Sequence, residues 1–180
     1  MNPLRRASPV LAALSLAVLL AAAPARAALT LDPAPAWRHA ESLADLVAVL
    51  DAWLDARSGY PARATPPRVE IVDRQAAALR PGTAARMGQT TRGLYDPDSA
   101  TITLVAPWSP DDARDVSVLL HELVHHRQHG ARHWYCPGQQ EPDAYRLQAD
   151  WLAERGLTIP VNRIAVVLEA GCTRRDIHPD

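Results

Sequence analysis

The 180-residue chain contains no lysine, no phenylalanine and only two cysteines. Its permanent cations are therefore all arginine, 19 against 20 acidic side chains, for a formal net charge of −1. Nucleic-acid binding would call for a basic patch. No such patch is visible, and nucleic acid is excluded as a partner. Cys136 and Cys172 are far apart and neither has a CxxC partner, which argues against a thiolate metal site. In an oxidising compartment such a pair reads most simply as one disulfide. It would close a loop of about 36 residues and stabilise by ~3–4 kcal/mol through loop entropy. With phenylalanine absent, the five tryptophans read as packing residues, Trp134 alone being left open as a binding surface.

Long apolar runs are also scarce. The one present, Val10 to Ala23, follows a basic start (Arg5, Arg6) and precedes Ala25-Arg26-Ala27, an A-x-A cleavage site. This is the pattern of a secretory signal peptide, residues 1–27. The competing reading, a membrane anchor, needs roughly 20 apolar residues. Cleavage would remove three arginines, leaving 16 basic against 20 acidic residues and a net charge of about −4. The expected product is a single domain, residues 28–180, exported to the periplasm or secreted, monomeric and without stable membrane insertion.

Periodicity predicts an α+β domain, mostly helical with a small sheet. A Pro-rich leader precedes a helix from Trp37 to Ala56, whose Leu43, Leu46, Val47, Leu50, Trp53 and Leu54 form an inward stripe opposite Asp45, Asp51 and Asp55. Arg68 to Val72 alternates as a strand. Asp73 can cap a short helix that Pro81-Gly82 closes; Thr83 to Gln89 is ambiguous. Thr91–Tyr95 and Thr101–Val105 flank the turn residues Asp96-Pro97-Asp98-Ser99, which predicts an antiparallel hairpin. Ser109 and Pro110 suit the start of the next helix, with Gly130 at its end. Further helices are expected over Glu141–Arg155, with Ala144, Leu147, Gln148, Trp151 and Leu152 inward, and over Asn162–Ala170, with Ile164, Val167 and Leu168 buried.

The helix after Pro110 carries His121-Glu122-Leu123-Val124-His125. Residues i and i+4 share a helix face, so His121 and His125 can aim two imidazoles at one metal ion. Glu122 lies about 100° further round, within reach of a water on that metal but badly placed to ligate it. Zn²⁺ suits the pattern, because it takes imidazole and carboxylate tetrahedrally and can keep one position for water. HExxH on a helix is the pattern of zinc peptidases.

A third protein ligand is then needed. The candidates are Glu141 and Asp143 at the start of the following helix, with His129 and His133 less well placed. Glu141 is preferred because Tyr145 and Gln148 share its face and could orient the ligands, whereas Leu147 follows Asp143. His126 and Gln128 read as surface or supporting residues.

The combination HELVHH, a short loop and a helix opening Glu141-Pro142-Asp143-Ala144-Tyr145 resembles the gluzincin branch of zincin metallopeptidases. A wider pattern, adding Cys136, Ala144–Gln148 and Trp151-Leu152, resembles a family of small exported bacterial proteins of unknown function. The gluzincin resemblance implies a minimal zincin-like domain, with His121, His125 and Glu141 holding one Zn²⁺ and Glu122 as catalytic base. Tyr145 stands where many gluzincins carry an aspartate. The implied activity is hydrolysis of peptide or protein substrates, with Tyr145, His133 or Tyr135 supporting the developing oxyanion and Thr101–Val105 either pairing with substrate or lying in the core. The alternative is a zinc-binding module without catalysis.

Overall fold

A computed structural model of the chain describes residues 36–79 and 91–172. The expected signal peptide, most of the Pro-rich leader, the Pro81-Gly82 stop, Thr83–Gln89 and His178 lie outside these residues. The described residues fall in a unit spanning Asp32–Asp180. Among them no helix is long and apolar enough to cross a membrane. The fold is α+β, five helices and a three-stranded mixed sheet among the described residues.

Helix α1 (Leu43–Asp55) begins at the first residue of its apolar stripe and later than the expected start at Trp37. The Ser42 hydroxyl accepts the Asp45 N–H at 3.1 Å and donates to the Asp45 carboxylate at 2.7 Å. That cap fixes the boundary. Upstream, a 3₁₀ turn (Ala36–His39) drops Trp37 into the core against Trp151, ring centres 5.7 Å apart. The sheet runs β1-β3-β2. Strand β1 (Arg68–Val72) lies parallel to β3 (Thr101–Val105), and β2 (Gly93–Asp96) antiparallel to it. The expected hairpin is thus present. The Asp96 carboxylate accepts the Asp98 N–H at 3.2 Å and the Ser99 hydroxyl at 2.5 Å. All five residues of β3 are buried, and its backbone is paired on both sides. It is a core strand, and of the two readings of Thr101–Val105 the substrate-pairing one is corrected. The short α2 (Arg74–Ala78) is capped by Asp73.

Helix α3 (Ala113–Gln128) is capped by Asp112, a correction to the expected start at Ser109. The Ser109 hydroxyl is engaged in the turn before the helix, accepting the Asp111 N–H at 3.2 Å. Asp115 then ties helix to sheet. Its carboxylate takes the Ser109 N–H at 2.9 Å and the Arg92 guanidinium at 2.5 Å. Val116, Leu119, Leu120, Leu123 and Val124 are fully buried, packed among Leu46, Leu50 and Leu54 of α1, Ile102 and Leu104 of β3, and Leu147 and Trp151 of α4 (Glu141–Ala153). The five residues expected inward on α4 are the buried ones.

The last helix, α5 (Arg163–Ala170), departs from expectation. Ile164, Val167 and Leu168 are 74%, 66% and 68% exposed. Cys172 is disulfide-bonded to Cys136, so a covalent tether holds this short helix against the turn Pro137–Gln140 and the flank of α4. That attachment, and not the apolar stripe, sets which side faces inward.

A second departure lies between α1 and α3. Asp51 and Asp55, assigned to solvent from their spacing, both hold the Arg127 guanidinium, at 2.7 and 2.8 Å. The carbonyls of Asp51 and Tyr60 accept from it as well, at 2.6 and 3.2 Å. The Arg127 side chain is wholly buried. A guanidinium stays charged at any ordinary pH and offers five donors in a planar fork. Removing it strands buried carbonyls, so Arg127→Ala is expected to cost about 3 kcal/mol, measured as a lower urea midpoint. Arg127→Lys should recover only part of this.

Candidate metal centre

His121 and His125 project from successive turns of α3 with their Nε2 atoms 3.1 Å apart. Glu141, the first residue of α4, brings one carboxylate oxygen to 3.3 Å from His121 Nε2 and the other to 3.4 Å from His125 Nε2. A tetrahedral ion with bonds of about 2.0–2.1 Å holds its ligand atoms about 3.3 Å apart. The two imidazole nitrogens stand close to that spacing, and each is met by a different oxygen of the Glu141 carboxylate. With one ligand atom from each residue within 4.8 Å of the others, the His-His-Glu group could bind a metal ion. His121, His125 and Glu141 line a cleft of about 1080 Å³.

Local structure explains this convergence. The 3₁₀ turn Pro137–Gln140 leads directly into α4, and Cys136 just before it is fastened to Cys172. Pro142 sits in the first turn of α4, where a missing N–H is harmless. On α3, the His125 ring is steadied by Gln128, whose Oε1 lies 2.9 Å from Nδ1. His121 Nδ1 is buried without a hydrogen-bond partner. The Tyr145 ring packs edge-on against the same imidazole, centres 4.5 Å apart.

Other expected residues are placed differently. Asp143 is not part of the group: its carboxylate accepts the Tyr60 hydroxyl at 2.6 Å and pairs with Arg146. One turn of α4 aims Glu141 at α3 and Asp143 at the segment after α1. Gln148 donates to Ser117 at 3.0 Å and not to a ligand. His129 stacks near Tyr95 and His133 near Tyr135, both outside the group. His126 is buried, not a surface residue, with Nε2 3.1 Å from the Thr65 carbonyl and Nδ1 3.2 Å from the Tyr95 hydroxyl.

Charge in the group is tightly coupled. Burial disfavours ionised Glu141, but hydrogen bonds to His121 and His125 outweigh it and hold the carboxyl far below its usual range. Burial also disfavours protonated His125, yet Glu141 and Glu122 together raise it. Glu122 goes the other way: burial pushes its carboxyl up, with the neighbouring imidazoles and the Tyr95 backbone N–H opposing.

Strand β2 presses on Glu122. A Cβ on Gly93 would stand 2.7 Å from Val118 Cγ1 and 2.8 Å from Glu122 Oε1. Only glycine lets the strand approach this closely. Sequence reasoning passed over Gly93, although an isolated glycine in a strand pattern is a signal of close approach.

Residues 39–180 match a family described as a domain of unknown function, DUF6647, and the chain belongs to that family. No curated protein and no solved structure matches it significantly.

Two outcomes are expected of the isolated protein. Gly93→Ala should displace Glu122 and loosen the β2–α3 contact, visible as a lower melting temperature. For Glu122, a raised folded pKa means that its contribution to stability is present at low pH and lost as pH rises through that pKa. Metal-free Glu122→Gln should therefore melt above the metal-free wild type at pH 8. The gap should close as pH falls towards the ordinary carboxyl value of 4.5. Equal melting temperatures at both pH values would contradict the raised pKa.

Proposed function

We propose that the chain is an exported zinc-dependent hydrolase of peptide bonds, zincin-like, with His121, His125 and Glu141 as ligands of one Zn²⁺ and Glu122 as general base. The observation that carries this reading is the convergence of two imidazoles and the Glu141 carboxylate, with the buried Glu122 carboxylate at their side. Two imidazoles and a carboxylate are a donor set that zinc favours. The Cys136–Cys172 disulfide agrees with a periplasmic or secreted setting.

Zinc bound there would supply Lewis acidity, polarising a carbonyl and bringing the pKa of a bound water towards ~7. The chain's own residues do the rest. Glu122, buried and desolvated, takes the proton of the attacking water and passes it to the leaving amine. Tyr145, against His121, is the candidate donor to the charge developing on the carbonyl oxygen. Strand β2 is an edge of the sheet and lines the cleft. An extended peptide substrate would therefore pair with β2. Trp134 and Tyr135 line the same cleft.

A second reading, a zinc-binding module without catalysis, is favoured by one feature. The exposed apolar face of α5 offers a surface for a partner.

The test is zinc content and hydrolysis of a broad peptide library, for the chain beginning at Ala28. Expected are one zinc per chain and metal-dependent cleavage. Glu122→Gln should keep the zinc and lose hydrolysis by about 10²–10⁴-fold, and Tyr145→Phe should lose less. Tight zinc binding without any cleavage would favour the module. Metal content surviving His121→Ala with His125→Ala would overturn the site.

A further inference from the structure

Gln128, at the end of α3, joins the metal group to the start of α4. Its side-chain amide donates to the Gln140 carbonyl at 3.0 Å. Its oxygen stands 2.9 Å from His125 Nδ1. A primary amide has one acceptor oxygen and two N–H donors, and here the oxygen and one N–H are committed within a fully buried side chain.

The neighbours also decide which way the amide points. Reversing it would set its oxygen against the Gln140 carbonyl, acceptor to acceptor. With the oxygen towards His125, Nδ1 of that ring carries a proton, and Nε2, which faces Glu141, is the nitrogen left for a ligand bond. Through Gln140 the same side chain also fastens the residue immediately before Glu141.

We propose that Gln128 is the positioning residue of the metal centre, fixing the tautomer and orientation of His125 while tying the start of α4 to the end of α3. Gln128 thereby couples two ligands carried on different helices. The inference rests on the metal-binding reading of His121, His125 and Glu141 and assigns a role to a residue outside that group.

Zinc affinity is measured by competition with a chromophoric chelator for the wild type, Gln128→Ala and Gln128→Glu. The His125 Nδ1–H is followed by ¹⁵N NMR in the zinc-loaded proteins. Gln128→Ala is expected to weaken zinc binding by about 10–100-fold and to lose the Nδ1–H signal. Gln128→Glu keeps the acceptor, so it should keep the signal and bind zinc more tightly than Gln128→Ala. If Gln128→Ala folds, binds zinc like the wild type and keeps the signal, the inference is overturned and the metal site stands. If the wild type binds no zinc, the metal reading fails and the inference with it. Should Gln128→Ala not fold, loss of the signal in Gln128→Glu overturns the inference by itself.

Discussion

Burying polar side chains is costly unless each finds a partner, and the last two turns of α3 do it repeatedly. His121, Glu122, His125, His126, Arg127 and Gln128 are all buried. Several parts of the chain supply their partners. Arg127 takes Asp51 and Asp55 of α1, and His126 takes the Thr65 carbonyl and the Tyr95 hydroxyl. Gln128 takes Gln140, while the paired imidazoles take Glu141. Elements far apart in sequence are drawn around one helix by its need for hydrogen-bond partners, as well as by the apolar packing of Leu119, Leu120 and Leu123.

The same demand links stability to chemistry. A helix that must be satisfied on every side is also held from every side, so its two imidazoles have little freedom to drift. Strand β2 and the residue before it both contribute: the Arg92 guanidinium on Asp115 fixes the start of α3, and Gly93 admits the strand against Glu122. The dry contact that perturbs Glu122 is thus a consequence of how sheet and helix are docked. Low local polarity strengthens whatever charge interactions remain.

Much of this was legible in the sequence where a pattern is local. The HExxH register, the buried face of α4, the hairpin and the cysteine pairing all follow from spacing. Helix starts were less legible, because Ser42 and Asp112 compete with equally plausible capping residues and only the backbone decides between them. Arg127 was hidden because its carboxylates sit on another helix, where Asp51 and Asp55 resemble an ordinary solvated face. The outward stripe of α5 was misread for a related reason: Ile164, Val167 and Leu168 obey the helical period, but a distant covalent tether sets the helix's orientation. Glu141 was preferred over Asp143 for the polar face it shares with Tyr145 and Gln148; what draws Asp143 away is Tyr60, which no periodicity connects to α4.

The disulfide divides the chain into a closed ring, Cys136 to Cys172, and everything outside it. Glu141 and the whole of α4 lie within the ring, whereas both histidines lie outside. A backbone cut in the stretch between α4 and α5, residues 154–162, would leave the two pieces joined through sulfur. The carboxylate would also remain continuous with α3 through residues 129–140. Under attack by a protease, one nick in this stretch therefore need not disperse the cluster. A reducing milieu would withdraw that protection.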